Sequence, residues 1–273
     1  MNESVHVSRD SVGQSASVTA QRSWWDREAG DYYAEHGAFL GDDVFVWGPE
    51  GWTEAELGLL TGAGMPPGPV LEIGAGAAQC SRWLAGQGVD VVASDLSGGM
   101  LAQAVAIDRR RLAQASCAPV PLIQCDGSRL PFGDASFAAV FTAYGVVPFV
   151  ADSARVMREA ARVLRPGGRF VFSTTHPIRW AFPDEPGPEG LTVVQSYFDT
   201  RPYAERDDHG RLTYVEHHRT LGQRVREIVA AGLRLVDVIE PEWPERNTQE
   251  WGGWSPTRGA VLPGTVIFVA ERA

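Results

Sequence analysis

Hydrophobic and polar positions along this chain follow two periods in turn. Short apolar runs of strand length stand at 69–74, 89–94, 121–125, 137–142 and 169–175. Helix-forming stretches at 78–87, 98–113 and 152–164 lie among them. Strand and helix in alternation predict a parallel sheet with helices on both faces. After residue 219 the pattern resumes: a helix over 221–231 stopped by Gly232, a strand over 233–239, a long loop over 241–263 and a last strand over 265–271.

The flanking segments read differently. Residues 1–20 are rich in Ser, Val and Gln without a period, which predicts a flexible tail. A short helix from Gln21 through Tyr33 carries Trp24, Trp25, Tyr32 and Tyr33, with Ser23 as its candidate cap. Trp52–Leu60 reads as a second helix, because Thr53 and Glu56 have the spacing of a capping box. The glycines and prolines of 62–69 read as a linker. Residues 177–218 fit no strand–helix unit and predict short antiparallel strands over Val193–Asp199 and Arg211–His217. The expected order is a tail over 1–20, a helical N-terminal cap over 21–66, a core over 67–176, an inserted substrate lid over 177–218, and the end of the core sheet over 219–273.

The chemistry centres on Val70-Leu71-Glu72-Ile73-Gly74-Ala75-Gly76, an apolar run entering a glycine turn before a helix. Gly74 and Gly76 lack Cβ atoms, so the backbone can turn sharply and admit a ligand beside it. The N–H groups opening the next helix point into the same space. Asp95 ends the second strand roughly 20 residues on, where a carboxylate can accept from both hydroxyls of a ribose. Gln124-Cys125-Asp126-Gly127-Ser128 ends the third strand with another acid, and Arg165-Pro166-Gly167-Gly168 turns from helix to strand.

Taken together, these pieces resemble the class I S-adenosylmethionine-dependent methyltransferases that act on small molecules. The resemblance rests on Leu71–Gly76, Ser94-Asp95-Leu96-Ser97, Asp126–Phe132 and Val163–Gly168, and covers about residues 65–176. Ala78 replaces the family's third glycine, and Gln79 breaks the dinucleotide pattern G-x-G-x-x-G. The resemblance implies a Rossmann-like sheet of seven strands, the last one antiparallel. It also implies that Glu72, Gly74, Ala75 and Gly76 shape a methionine pocket. Asp95 would hold the ribose with Leu96 against the adenine. Asp126, Gly127 and Ser128 would meet the adenine edge, and Thr142 and Tyr144 the methionine end. Tyr32 or Tyr33 would close over the sulfonium, which aromatic faces attract.

Composition narrows the function. The 273 residues carry a formal net charge of −10 and are 44% hydrophobic and 21% charged. A packed core is expected, and an acidic surface disfavours phosphate backbones, so nucleic acid is excluded as substrate. The absence of the D/N-P-P-Y/F motif of amino-methylating enzymes points the same way. Cys80, Cys117 and Cys125 fit no metal spacing, and so sparse a set suits a reducing compartment. With no apolar run of about 20 residues, the expectation is a cytoplasmic protein without a membrane partner, as a monomer or homodimer.

Methyl transfer from a sulfonium is a direct displacement that orientation and water exclusion accelerate, so no metal is required. His176, after the fifth strand, is the acid/base candidate, against the alternative of a hydrogen-bonded structural histidine before Pro177. His217 and His218 point to opposite faces of a strand and form no chelating pair. Trp180, Tyr197, Tyr203, Trp251 and Trp254 are candidates to line an acceptor pocket. Arg109, Arg110 and Arg111 read as a solvated helix end. The expected reaction moves a methyl group from S-adenosylmethionine to O, N or C of a small molecule. The alternatives are a methyltransferase-like protein that binds without turnover, and a nicotinamide-dependent oxidoreductase.

Overall fold

The computed structural model describes residues 5–62, 67–113 and 119–273. Strand β1 (His6–Ser8) precedes helices α1 (Gln14–Leu40) and α2 (Glu54–Leu57). The alternating region follows: β2 (Val70–Ile73), α3 (Gln79–Gly86), β3 (Val91–Asp95), α4 (Gly98–Ala113), β4 (Leu122–Gln124), β5 (Phe137–Thr142), α5 (Ser153–Val163) and β6 (Leu164–Thr175). Two further strands, β7 (Tyr203–Arg206) and β8 (Leu212–Glu216), lead to α6 (Leu221–Ala230), β9 (Leu233–Ile239), α7 (Pro256–Gly259) and β10 (Thr265–Arg272).

Seven strands form the main sheet in the order β4-β3-β2-β5-β6-β10-β9. Pairing is parallel from β4 to β6, and β10 runs antiparallel to both β6 and β9. The fold class is therefore the expected one. Side-chain alternation divides the core between the two faces of the sheet. Phe170, Phe172 and Phe268 stack on the face covered by α5 and α6, with centroids 5.1 and 4.8 Å apart. Phe141, Val171 and Ile267 face the other way, against Phe45, Trp47 and α3. The chain leaves β2 toward β3 and β4 on one side and returns to β5 on the other, which opens a crevice at the carboxyl ends of these strands.

Several expectations about the flanks need correction. Residues 6–8 are a strand rather than part of a flexible tail, and pair antiparallel with β7. Helix α1 starts after Gly13 and runs 27 residues, so Ser23 lies in mid-helix and caps nothing. No proline interrupts it, and the chain leaves it at Gly41, with φ 68°. The capping box of Thr53 and Glu56 forms, but α2 lasts only four residues. Gly58 turns left-handed there, and the Glu54 carboxylate accepts the N–H groups of Leu59, Leu60 and Thr61.

Within 177–218 no strand forms over 193–199; those residues are turns between two 3₁₀ segments and β7. The Arg165–Gly168 turn lies inside β6, where the register against β5 shifts and Gly167 takes φ 74°. The loop over 241–263 contains α7 and a bridge between Trp251 and Trp254. Part of the expected 62–69 linker and Cys117 lie outside the described residues.

The N-terminal segment and the insertion are thus one structural unit. β1, β7 and β8 make a three-stranded antiparallel sheet. Helix α1 lies across it, with the Gln21 side-chain amide donating to the Val215 carbonyl. This unit covers the crevice.

Candidate functional site

The crevice is a cavity of about 380 Å³. Its floor is the turn after β2. Gly74 and Gly76 have φ of 71° and 55°, and a Cβ on Gly74 would stand 2.5 Å from a Val146 methyl carbon. Ala78 is also left-handed, with φ 62°, so alanine occupies a conformation that favours glycine, at a cost of roughly 1–2 kcal/mol. It is fully buried and packs against the core, where Ala75, Cys80 and Leu84 also lie.

Acidic groups surround this turn. Asp95 Oδ2 accepts the Gly76 N–H at 2.8 Å, and Oδ1 accepts the Ser97 N–H at 2.7 Å. Burial raises the Asp95 carboxyl above its usual range, against those hydrogen bonds. Glu72 lies fully inside the sheet edge and accepts from the Ser81 N–H at 3.1 Å and from the Ser81 hydroxyl. Burial pushes its carboxyl up to about 8, against the Ser81 bonds and with Asp95 adding to the rise. Asp126 Oδ1 accepts the Ser128 N–H at 2.8 Å, which holds the turn after β4.

The roof is aromatic and comes from distant segments. Trp24, Trp25, Tyr32, Tyr33 and His36 of α1 line the cavity, as do Phe149, Tyr214, Trp251 and Trp254. Trp251 stacks on His36 with centroids 4.1 Å apart and planes at 16°, which joins α1 to the C-terminal loop. The Tyr33 hydroxyl donates to Asp42 Oδ1 at 2.6 Å, and Arg110 donates to Asp42 Oδ2 at 2.6 Å. Arg111 donates to Asp43 at 2.6 Å. The basic run at the end of α4 thus fastens the end of α1 instead of meeting solvent alone.

Most of the expected site residues converge here. Glu72, Gly74, Ala75, Gly76, Asp95, Leu96, Asp126, Gly127, Tyr144, Tyr32, Tyr33, Trp251 and Trp254 line the one cavity. Five do not. Ser128 is buried and receives a hydrogen bond from Gln14 at 3.3 Å. Thr142 is buried behind the wall, beside Gly145. Trp180 stacks on His218 with centroids 5.3 Å apart, and the Tyr197 hydroxyl accepts the Leu221 N–H at 2.8 Å.

The fifth, His176, corrects the acid/base assignment. Its Nδ1 accepts the Ile178 N–H at 3.1 Å and its Nε2 faces Glu240 Oε1 at 2.7 Å. Both ring nitrogens are therefore engaged outside the cavity. Burial lowers its pKa, with Glu240 opposing that shift. Tyr203 is likewise absent from the cavity wall; its hydroxyl donates to Glu205 at 2.7 Å.

Among the contributors unread in the sequence are Gln21, Phe149 and the pair Tyr214 and Glu216. The last pair had a signal. Residues 212–216 read as a strand, and period two puts Tyr214 and Glu216 on one face.

Fold and site together define a cofactor-binding α/β protein with its ligand crevice at the carboxyl ends of the parallel strands. Comparison with known proteins is more specific. The family described as Methyltransferase domain matches residues 71–172. A demethylmenaquinone methyltransferase from Mycobacterium sp. strain JLS is 40% identical over 238 residues, covering 84% of this chain and 82% of that protein. Another from Mycolicibacterium vanbaalenii is 44% identical over 112 residues, but that match spans 40% of this chain and 44% of the relative. Among solved structures, an S-adenosylmethionine-dependent methyltransferase from Mesorhizobium loti is 25% identical with a TM-score of 0.58, covering 82% of this chain and all of that one. The chain belongs to the S-adenosylmethionine-dependent methyltransferase family.

Proposed function

We propose that this chain transfers a methyl group from S-adenosylmethionine to a small, planar, largely apolar acceptor. The observation that carries this reading is one continuous cavity with a backbone-and-carboxylate floor and an aromatic roof. The two surfaces suit two ligands of different chemistry. The names of the curated relatives, demethylmenaquinone methyltransferases, support an acceptor with a fused aromatic ring.

The residues fit the cofactor. Asp95 keeps lone pairs beyond the two N–H groups it accepts, and these can receive ribose hydroxyls. Leu96 and Asp126 line the cavity with Gly127 beside them, and would border the adenine. The close approach of Gly74 to Val146 and Gly145 narrows the floor where the amino-acid end would lie. The bound cofactor supplies an electrophilic methyl on a cationic sulfur. The chain's part is to orient the acceptor in line with that methyl and to exclude water. Trp25, Tyr32 and Tyr33 would stand over the sulfonium, since aromatic faces stabilise a nearby cation by roughly 0.5–2 kcal/mol.

The test is direct. The purified protein is titrated by calorimetry with S-adenosylmethionine, S-adenosylhomocysteine and NADH. It is then incubated with S-adenosylmethionine and 1,4-dihydroxynaphthalene while S-adenosylhomocysteine release is followed. Binding of both sulfur ligands with release above blank supports the reading. Binding without release from this or other arenes favours a protein that holds the cofactor without turnover. Binding of NADH alone favours an oxidoreductase.

A further inference from the structure

Tyr214 and Glu216 sit two residues apart on β8, so their side chains share the face turned to the cavity, and both line it. The Tyr214 hydroxyl donates to Glu216 Oε1. Among the described residues it is the single hydrogen-bond donor to that carboxylate, so Oε2 has no donor on a residue that lines the cavity. The opposite strand repeats the arrangement. Tyr203 pairs with Glu216 and Glu205 with Tyr214, and the Tyr203 hydroxyl donates to Glu205 at 2.7 Å.

A carboxylate on an aromatic wall is costly to bury without a partner. Trp24, with its centroid 5.0 Å from Tyr214, and Phe149, at 6.2 Å, supply that wall. Burial raises the Glu216 carboxyl above its usual range, with the Tyr214 hydrogen bond and Arg179 opposing the rise and Asp184 and Glu205 adding to it. A ligand that donates a hydrogen bond to Oε2 would relieve the cost.

We propose that Glu216 is the specificity residue for the acceptor, and that it selects a planar arene bearing a hydroxyl group, whose O–H donates to Glu216 Oε2. This rests on the reading of the cavity as a methyl-acceptor site. An ammonium group fits less well, on two counts. A cation already stands on this side, since the Arg179 guanidinium lies 3.6 Å over the Trp254 ring. A neutral hydroxyl also gives up far less hydration than an ammonium on entering an apolar wall. Hydrogen bonds to charged groups are the stronger kind, so one such contact separates a hydroxyl from its methyl ether by about tenfold or more.

The experiment uses the full-length protein saturated with S-adenosylhomocysteine. Three probes are titrated by tryptophan fluorescence: 1-naphthol, 1-methoxynaphthalene and 1-(aminomethyl)naphthalene. The wild type is expected to bind 1-naphthol at least about tenfold more tightly than the ether. Glu216→Gln should reduce that ratio and Glu216→Leu abolish it, while affinity for S-adenosylhomocysteine stays within about twofold. The ratio separates recognition from a structural role, because a general loosening of the site weakens naphthol and ether alike. Equal affinity for naphthol and ether, tighter binding of the amine, or binding of no probe by a protein that holds S-adenosylhomocysteine overturns the assignment. Failure to bind S-adenosylhomocysteine at all overturns instead the reading on which it rests.

Discussion

The backbone N–H of Gly76 donates to Asp95 Oδ2 at 2.8 Å, so the turn after β2 is fastened to the acid that ends β3. The other oxygen of the same carboxylate holds the Ser97 N–H at 2.7 Å, at the entry to α4. One side chain therefore fixes both loops at the crevice and still presents acceptor capacity to it.

Asp95→Asn is the sharpest test of that double duty. An amide keeps the shape but turns an NH₂ group toward one of the two N–H donors. The same NH₂ group takes an acceptor from the ribose hydroxyls, and a hydrogen bond to a charged group lost only in the complex costs about 1–3 kcal/mol, so affinity for S-adenosylhomocysteine should fall about 5- to 150-fold by calorimetry. Unchanged affinity would place the ribose elsewhere in the cavity.

For His176, turnover is expected to survive and stability to fall. Replacement by Gln removes the contact with Glu240 and changes the group that accepts the Ile178 N–H. Two altered hydrogen bonds cost about 1–2 kcal/mol, or roughly 2–8 °C in melting temperature for a chain of this size. Turnover with a working acceptor should stay within about twofold. A large loss of kcat with an unchanged melting temperature would restore a catalytic role.

The sheet and its crevice were legible because their signals are local. An apolar run, a glycine turn and an acid ending the next strand are each written within a few residues, from Val70 to Gly76 and at Asp95. Helix α1 was misjudged for a physical reason. The residues it buries, Ser17, Ala20, Gln21 and Ala29, are small or polar, so no apolar stripe announces its length. The partner of β1 lies some 200 positions away, at Ala204–Arg206, and no local pattern reports such a pairing. The same distance hid the fate of His176, whose ring is engaged by Glu240 from the strand-to-loop junction after β9. Glu216 could have been found by reading the face of its strand rather than its histidine neighbours.

Stability should fall on the acid side, with His217 as a main cause. Its Nε2 contacts Ser17 Oγ at 3.1 Å, and that hydroxyl donates to the Phe149 carbonyl at 3.0 Å, so the imidazole joins β8 to α1. Burial holds its pKa down at about 4, with Arg219 adding to the shift. In the unfolded chain it titrates near 6.5. Between those values the unfolded state takes up a proton that the folded state refuses. The contribution is therefore complete above pH of about 6.5 and is lost as pH falls toward about 4. His36, His176 and His218 are lowered in the same direction by burial. Melting temperatures measured across this range should decline, and His217→Gln should flatten the decline by on the order of 2–3 kcal/mol. A variant with the same slope as the wild type would assign the effect to the other histidines.

The buried pair of Arg82 and Asp108 predicts a contrast between two ion pairs at the same helix. Arg82 Nε meets Asp108 Oδ1 at 2.5 Å with 0% and 6% of their side chains exposed. The guanidinium also donates to the carbonyls of Asp42 at 2.7 Å and Ala104 at 3.1 Å, so it joins α3 to α4 and to the end of α1. Asp108→Ala leaves that charge without a counter-ion in the interior, at a cost of about 3–5 kcal/mol, or roughly 6–20 °C in melting temperature. Arg111 and Asp43 also meet, at 2.6 Å, but Asp43 is half exposed at 48%. Water and salt screen that contact, so Asp43→Ala should cost less than about 1 kcal/mol. The two variants also differ in their response to salt. Sodium chloride at roughly 1 M should erase the small Asp43 effect and leave the Asp108 effect nearly whole, because ions screen exposed charges far better than buried ones. Equal losses in the two variants would mean that Arg82 reaches solvent when Asp108 is gone, and that α3 and α4 are held together by their apolar contacts instead.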